Sequence, residues 1–409
     1  MKILYVADGR SPIALNWISY FIRAGHQVHL ASTFPCPSIE GLASLEIIPV
    51  AMSGIYGSEN GRDSVRVTWI RRLLPVRIRT QFRRFVAPFS FQGAAGKLQR
   101  LIEGIQPDIV HAMRIPYEGM VAAMAMEGIA GHIGLKKPPL LISVWGNDFT
   151  LHARSTPGMF RYTRHALRAA NGLHTDCQRD QRLAVELGFS AQKPAIVLPG
   201  GGGVQVDTFY PSEIQPEERA ARVGEGVEPV TIINPRGIRA YVRNDTFFQA
   251  IPLVIEKFPN VRFICIGMQG VVQAEKWCSD LKTGDRVELL PAQLPLQMAE
   301  LFRRSQITVS VTTHDGTPNT LLEAMACGSF PIVGDIESLH EWIKHGENGL
   351  LVDPGDPNAL AEAILTAISR PELSRQAREL NLAMVKERAE YGWVMQHAEE
   401  FYRRMISGR

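Results

Sequence analysis

Two carboxylates stand eight residues apart in the stretch THDGTPNTLLEAMACGSFPIVGD, at Asp315 and Glu323. Gly-Thr-Pro-Asn lies between them, and the second acid falls in a run that is otherwise almost entirely apolar. A glutamate is rarely buried without a partner. Its carboxylate can accept hydrogen bonds from two neighbouring hydroxyls, as acidic residues do on a nucleotide ribose. The alternative is a turn aspartate followed by a solvated helix face.

The residues between the two acids predict the start of a helix. Thr317 suits the N-cap and Pro318 the first helical position, where its missing N–H costs nothing. The unpaired N–H groups of Asn319 and Thr320, with the positive end of the helix dipole, then form an anion site. The helix is expected to run to about Cys327 and to stop at Gly328. A phosphate would suit its start.

The elements that must position these groups alternate short apolar strands with helical patterns. Such alternation predicts parallel α/β sheets, and 409 residues are enough for two domains of this kind. We expect Rossmann-like domains at 1–209 and 210–385, with a C-terminal helix at 386–409 packing back on the first. The Pro- and Glu-rich segment 210–229 marks the border. Ligands of open α/β sheets bind beyond the carboxyl ends of the strands, so an inter-domain cleft is the expected site.

Composition excludes several classes of protein. A net charge of +3 is too small for a nucleic-acid-binding protein. The five cysteines are scattered and odd in number, which argues against disulfides and structural zinc. No apolar run approaches the ~20 residues of a membrane span. We therefore expect a cytoplasmic protein, with any membrane contact peripheral and at the inner face.

The pattern resembles glycosyltransferase family 4, the group 1 glycosyltransferases, which are retaining enzymes of GT-B fold. The family's E-x7-E motif corresponds to DGTPNTLLE followed by AMACG and FPIVGD. Further similar segments extend over nearly the whole chain, and they include PDIVHAM, VWGNDF, VLPGGGGVQVDTFYP, NPRGIRAYVRND and ENGLLVDPGDP. The resemblance implies a nucleotide-sugar donor as substrate, no cofactor and no metal, and this sequence shows no D-x-D pair.

The resemblance also implies roles for the residues of the second domain. Glu323 binds the ribose hydroxyls, Asp315 contacts the donor sugar in place of the usual Glu, and Arg236 neutralises the leaving diphosphate. The family's Lys position has three candidates in Arg239, Tyr241 and Arg243. The implied catalytic residues are Asp315, Glu323 and Arg236. The implied donor-binding residues are Gly9, Arg236, Arg239, Tyr241, Arg243, Gly316, Thr317, Pro318, Asn319, Thr320 and Glu323.

In the first domain, the chain departs from the family at two places. Gly9 follows strand one without a second glycine, and Trp145 stands where the family has a sugar-contacting His. Trp145 either stacks on a sugar ring or packs in the fold. Asp148 is the polar candidate on the acceptor or sugar side, with a strand-end cap as its alternative.

A basic segment between Ser64 and Ile102 contains nine Lys or Arg and no acidic residue. Aromatic and aliphatic residues recur there at helical spacing with Arg77, Arg79, Arg83 and Arg84 between them. This pattern predicts a cationic amphipathic helix for an anionic membrane surface or a lipid-linked acceptor. The alternative is a packed helix with a solvated basic face.

These features together predict a retaining, metal-independent glycosyltransferase. It would move a hexose-type sugar from UDP, or from GDP as the second choice, to a hydroxyl of a lipid-linked or saccharide acceptor. Two alternatives are a nucleotide-sugar 2-epimerase of the same fold and a non-catalytic nucleotide-sugar-binding protein.

Overall fold

The structure of the protein is a computed structural model that describes residues 1–50, 76–129, 137–213 and 228–408. The described chain divides into two compact units. One comprises Met1–Gly202 with Met395–Arg409, and the other comprises Gly203–Val394. Most of the predicted border segment 210–229 lies outside the described residues, because the description stops at 213 and resumes at 228.

The first unit is built on a seven-stranded parallel sheet in the order β3-β2-β1-β4-β5-β6-β7. Its strands are Lys2–Ala7 (β1), Gln27–Ser32 (β2), Ser44–Ile47 (β3), Ile109–Met113 (β4), Leu140–Val144 (β5), Gly172–Thr175 (β6) and Ala195–Val197 (β7). Its helices are Pro12–Arg23 (α1), Val76–Ile105 (α2), Met120–Ile129 (α3), Pro157–Ala169 (α4) and Gln178–Glu186 (α5).

The second unit is built on a six-stranded parallel sheet in the order β10-β9-β8-β11-β12-β13. Its strands are Val230–Asn234 (β8), Val261–Ile266 (β9), Val287–Leu290 (β10), Ile307–Ser310 (β11), Phe330–Gly334 (β12) and Leu350–Val352 (β13). Its helices are Asn244–Lys257 (α6), Val272–Asp280 (α7), Pro295–Arg304 (α8), Asn319–Ala326 (α9), Pro357–Ser369 (α10) and Pro371–Arg388 (α11). The last helix, Tyr391–Ser407 (α12), ends in the first unit.

Both sheets are doubly wound, which confirms the predicted α/β class of two Rossmann-like sheets. The strand order reverses between β1 and β4 in the first sheet and between β8 and β11 in the second. Helices cover both faces, so most strand residues are buried and the strands read as apolar runs rather than alternating ones. Ligands of such sheets bind beyond the carboxyl ends of the strands at the reversal point. The loops after these four strands are therefore the first places to look for a site.

Residues 395–408 pack on the first sheet through a fully buried tyrosine. Tyr402 stacks on Phe21 of α1 at 4.7 Å between ring centroids, and its hydroxyl accepts a hydrogen bond from Trp17 Nε1 at 3.0 Å. The same hydroxyl bonds to His111 on β4. The end of the chain is thus part of the core of the first unit.

Candidate functional site

In the second unit, the loops after β8 and β11 bring two predicted site residues together. Arg236 Nη1 lies 3.0 Å from Asp315 Oδ2, and the two side chains are only 11% and 16% exposed. Because β8 and β11 are the strands between which the order reverses, this ion pair stands at the expected ligand position. The structure therefore joins two of the three residues that the sequence assigns to catalysis.

Arg236 keeps its charge in this position. Burial disfavours the charged form, but Asp315 and the Tyr241 hydroxyl outweigh that effect and raise the pKa of the guanidinium. Tyr241 also accepts a hydrogen bond from Arg239 Nη1 at 3.1 Å. Arg239 itself is exposed. The cation beside Asp315 is therefore buried and permanent, and Tyr241 links it to a second, exposed cation.

Arg243 makes a different contact from Arg239. Its Nε and Nη2 donate to the two carboxylate oxygens of Asp245, both at 2.9 Å. Asp353 adds a second negative charge nearby, and the hydrogen bond to Asp245 is the largest of the contributions that raise the pKa of Arg243. Of the three candidates for the family's Lys position, Tyr241 contacts Arg236, Arg239 reaches it through Tyr241, and Arg243 is paired with Asp245.

The loop between the two acids enters helix α9 one residue later than expected. Pro318, not Thr317, is the N-cap, because its fixed φ of −69° is combined with an extended ψ of 123°. Leu321 and Leu322 donate to the Pro318 carbonyl. The Thr317 hydroxyl instead accepts a hydrogen bond from Trp342 Nε1 at 2.9 Å, which ties the loop to the core. The helix ends at Ala326, and Gly328 follows with a φ of +79°, so the predicted stop is confirmed.

Two groups on α9 lack partners among the described residues. Thr320 Oγ1 is buried without a hydrogen bond. Glu323 is half-buried between Leu322 and Ala324, and no described residue bonds to its carboxylate. Burial raises its pKa to about 7. A buried donor or acceptor left unpaired costs ~1–3 kcal/mol, and this cost applies to Thr320 Oγ1.

In the first unit, Gly9 follows β1 at a point where no side chain fits. A Cβ at this position would lie 2.5 Å from Cys36 Sγ and 2.9 Å from Ser32 Oγ. The Gly9 N–H donates to that same serine hydroxyl at 3.0 Å. The glycine therefore allows the loops after β1 and β2 to touch at the sheet edge.

Trp145 and Asp148 lie in the loop after β5. The Trp145 indole N–H is buried without a partner among the described residues. Asp148 is fully buried. Its carboxylate accepts hydrogen bonds from Arg114 Nε at 2.9 Å and from the backbone N–H of Trp145 at 3.1 Å. Burial is the largest influence on Asp148 and raises its pKa despite Arg114. The carboxylate is thus bonded within its own unit, and its assignment to the acceptor or sugar side stays a prediction.

Sequence reasoning missed Arg114, which follows β4. Its backbone has a φ of +132°, a strained conformation for a side-chain-bearing residue, and such strain often occurs at functional sites. It donates to Asp148 and to Asn147 Oδ1, and its guanidinium carbon lies 5.7 Å from the centre of the Trp145 ring. Its position could have indicated it, because Arg114 is the first residue after β4, one of the two strands between which the strand order reverses.

One cluster of potential metal ligands occurs within the residues that the structure describes. Side-chain ligand atoms of Asp176, Cys177 and Asp180 lie within 4.8 Å of one another. Arg179 donates to Asp180 Oδ1 at 2.8 Å from Nη2, so a guanidinium already supplies the positive charge there. Burial strongly raises the pKa of the Cys177 thiol, which keeps it protonated beside the two carboxylates.

The predicted cationic helix falls within α2. The side chains of Arg77, Arg79, Arg83 and Arg84 lie outside the described residues. From residue 90 onward the helix packs inward, with Phe91, Leu98 and Ile102 buried. Among the described residues, no helix combines the length and the apolar character needed to cross a bilayer.

The two doubly wound units define a protein of the GT-B class. The structure of HepE from Anabaena in complex with UDP-glucose aligns with a TM-score of 0.71 and 16% identity, over 98% of each chain. This similarity establishes the fold.

Two family models establish the family. "Glycosyl transferases group 1" matches residues 237–370, and "Glycosyl transferase 4-like" matches residues 2–176. The protein "Putative glycosyltransferase EpsD" of Bacillus subtilis (strain 168) is 24% identical over 71% of this chain and 75% of its own length. D-inositol 3-phosphate glycosyltransferase of Rhodococcus opacus (strain B4) is 27% identical over 47% of this chain and 44% of its own length. The chain belongs to the group 1 glycosyltransferases.

Proposed function

We propose that the protein is a retaining, metal-independent glycosyltransferase that moves a hexose-type sugar from a UDP-sugar to a hydroxyl of a saccharide or lipid-linked acceptor. The observation that supports this most directly is Glu323. It is a half-buried carboxylate without a described partner, and it is the fifth residue of α9 at the ligand edge of the second sheet. A pair of ribose hydroxyls would supply the two hydrogen bonds that it lacks.

The start of α9 supplies the anion site that a diphosphate needs. The N–H groups of Asn319 and Thr320 stand at the positive end of the helix dipole. Arg236 is held nearby by Asp315 and keeps its charge while buried. A buried, pre-positioned cation stabilises charge that develops on a leaving diphosphate far better than a solvated one.

Asp315 is assigned to the donor sugar. Its Oδ2 pairs with Arg236, and a carboxylate has further acceptor positions for sugar hydroxyls. This aspartate is one methylene shorter than the usual glutamate, which changes its reach rather than its chemistry. Because Arg236 contacts Asp315, the groups for the sugar and for the diphosphate are coupled in one ion pair.

Uracil is proposed as the base because HepE has been crystallised with UDP, with UDP-glucose, and with UDP and glucose. Those complexes belong to a protein only 16% to 17% identical to this one, so the base is inferred from the shared fold. GDP is the second choice.

Retention is proposed through transfer on one face of the sugar. The bond from the anomeric carbon to the diphosphate oxygen breaks while the bond to the acceptor oxygen forms. The departing phosphate oxygen takes the acceptor proton, so no separate protein base is required. The protein's contribution is electrostatic, through Arg236 and the start of α9.

The acceptor proposal rests on the first part of α2. Its four arginines would favour an anionic membrane surface or a lipid phosphate. Flotation with vesicles of anionic and of neutral lipid checks this proposal. Binding to anionic vesicles alone, lost when the four arginines become glutamine, is the expected result.

A donor screen tests the proposed activity. The protein is incubated with UDP- and GDP-sugars in the presence of EDTA, and nucleotide diphosphate release is measured with and without saccharide acceptors. We expect slow release from a UDP-sugar, faster release with an acceptor, and a product whose anomeric configuration by NMR matches the donor. Activity that requires added Mg²⁺, or an inverted product, contradicts the proposal.

A further inference from the structure

The loop Trp145–Asp148 is held by side chains from several elements of the first unit. After β4, Arg114 donates to Asn147 Oδ1 at 3.1 Å and to Asp148. After β6, Asp176 Oδ2 accepts the Gly146 N–H at 3.1 Å. A short loop fixed at successive residues in this way has little conformational freedom.

Arg179 on α5 provides another contact with the loop, at the Gly146 carbonyl, which also accepts a hydrogen bond from Thr150 Oγ1 at 3.2 Å. Its Nη2 donates to the Gly146 carbonyl at 2.7 Å, while Nε and Nη2 donate to Asp180 Oδ1 at 3.0 and 2.8 Å. The side chain is only 7% exposed. Together, Asp176 and Arg179 bond both polar groups of the Gly146 residue. A guanidinium can do this because its planar fork bridges a carbonyl and a carboxylate at once, which a lysine ammonium does less well.

The loop presents Trp145, whose indole N–H has no described partner. A Cβ on Gly200 would lie 3.3 Å from Trp145 Cδ1 and 3.5 Å from its Nε1, so Gly200 packs closely along that edge of the ring. The tryptophan ring is half-buried rather than enclosed. Its position is therefore determined by Gly200 on one side and by the held loop behind it.

We propose that Arg179 is a positioning residue for sugar transfer: by holding the Gly146 carbonyl, it keeps Trp145 oriented towards the sugar substrate. This inference rests on the proposed function. Arg179 acts through the loop and does not touch the substrate. Its effect is expected on turnover of the UDP-sugar and not on UDP affinity, because Glu323 and Arg236 lie in the other unit.

The test compares Arg179→Gln and Arg179→Lys with matched changes at Arg182 on the same helix. Arg182 is 56% exposed and pairs with Glu186, so Arg182→Gln and Arg182→Lys control for charge loss on α5. For each variant we measure UDP affinity by calorimetry, kcat and KM for the active UDP-sugar, and thermal unfolding.

We expect Arg179→Gln to lower kcat/KM on the order of tenfold to a hundredfold, since small misplacements cost that much. Arg179→Lys should recover part of the loss, and UDP affinity should stay within twofold of wild type. If Arg179→Gln does not fold, the test rests on the kinetics of Arg179→Lys compared with those of Arg182→Lys. Equal kinetics for Arg179→Lys and Arg182→Lys, or a parallel loss of UDP affinity, would overturn the inference. A wild-type protein that binds UDP but turns over no UDP-sugar defeats the proposed function first, and this inference with it.

Discussion

At the scale of single residues, Glu323 and Asp315 have different environments although both belong to one motif. Glu323 lacks a described partner and Asp315 is paired with Arg236. These environments agree with the proposed roles, in which Glu323 accepts from ribose hydroxyls and Asp315 contacts the donor sugar beside Arg236. This difference allows their roles to be separated by mutation.

Glu323→Gln should weaken UDP binding by about 1.5–3 kcal/mol, the cost of losing hydrogen bonds to a charged group. UDP lacks the transferred sugar, so calorimetry with UDP reports the nucleotide contacts, the ribose contact among them, without a contribution from the donor sugar. Asp315→Asn is the matched comparison. It should lower turnover by a larger factor than UDP affinity, and any loss of UDP affinity comes from weakening the ion pair that holds Arg236. Circular dichroism must show both variants folded. Equal UDP affinity in wild type and Glu323→Gln would show that this acid does not bind the ribose.

The pKa of Glu323 predicts a pH dependence of stability. Burial raises that pKa from 4.5 to about 7, so the native state binds more protons than the unfolded state between these values. The free energy of unfolding should therefore fall as pH rises from 4.5 to 7, by at most roughly 3 kcal/mol from this group. Glu323→Gln removes the contribution. Urea unfolding of both proteins across this range checks it, and parallel curves would contradict it.

The same pKa predicts proton release on UDP binding. Ribose hydroxyls donate to the ionised carboxylate and stabilise it, so the pKa falls in the complex. UDP affinity should decrease as pH drops below 7, beyond any decrease that Glu323→Gln shows. Calorimetry at pH 6 in two buffers of different ionisation enthalpy measures the protons released. Equal proton release from wild type and Glu323→Gln would rule out this linkage.

At the scale of elements, the loops that follow the strands carry the candidate site residues, and the close approach of two of these loops depends on a glycine. Gly9 is the clearest case, because the loop after β2 occupies the space that a side chain would need. The loop Trp145–Asp148 is fixed in a different way, by hydrogen bonds. They come from a residue after β4, a residue after β6 and a residue on α5.

Gly9→Ala should destabilise the protein by about 1–3 kcal/mol, the usual cost of inserting a methyl group where there is no room. The added Cβ must displace Cys36 and Ser32, so the contact between the two loops is lost or distorted. Gly93→Ala on α2 is the control, because nothing lies within 4 Å of its Cβ position. That control should be neutral or stabilising by up to ~1 kcal/mol. Chemical denaturation compares them, and an equally stable Gly9→Ala would contradict the packing argument.

At the scale of the whole molecule, the chain returns to its first unit at the end. Tyr402 joins residues far apart in sequence, because its hydroxyl contacts Trp17, His111 and Tyr5. The hydrogen bonds continue from His111 through Ser143 to His174. Burial of His174 lowers its pKa to about 4, so this network stays neutral at physiological pH.

Tyr402→Ala should destabilise the first unit by about 3–5 kcal/mol, as expected for removal of a buried aromatic side chain. The second unit, which contains Glu323, should still bind UDP. Glu400→Ala on the same helix is exposed and should change stability by less than ~0.5 kcal/mol. Calorimetric unfolding with and without UDP measures both effects. A Tyr402→Ala protein as stable as Glu400→Ala would show that the C-terminal helix is not part of the core.

The sequence by itself determined the fold class, because buried parallel strands read as short apolar runs and helices as periodic ones. It also selected Asp315 and Glu323 as candidates, since a charged residue in or beside an apolar run is visible without coordinates. Arg236 was selected through the resemblance to the family. It placed the start of α9 one residue early, because Thr317 is a good N-cap in general and only the structure shows its hydroxyl bonded to Trp342.

Only the tertiary structure decided which side chains meet. The sequence left Arg239, Tyr241 and Arg243 equivalent, and Asp245 separates them by pairing with Arg243. It gave no reason to select Arg114 or Arg179, which act on a loop more than 30 residues away in the chain. The local pattern of apolar residues indicates which positions are buried and whether a segment is a helix or a strand, because both depend on neighbours in the sequence. Hydrogen bonds between strand-end loops depend on the order of strands in the sheet, and that order exists only in the folded protein.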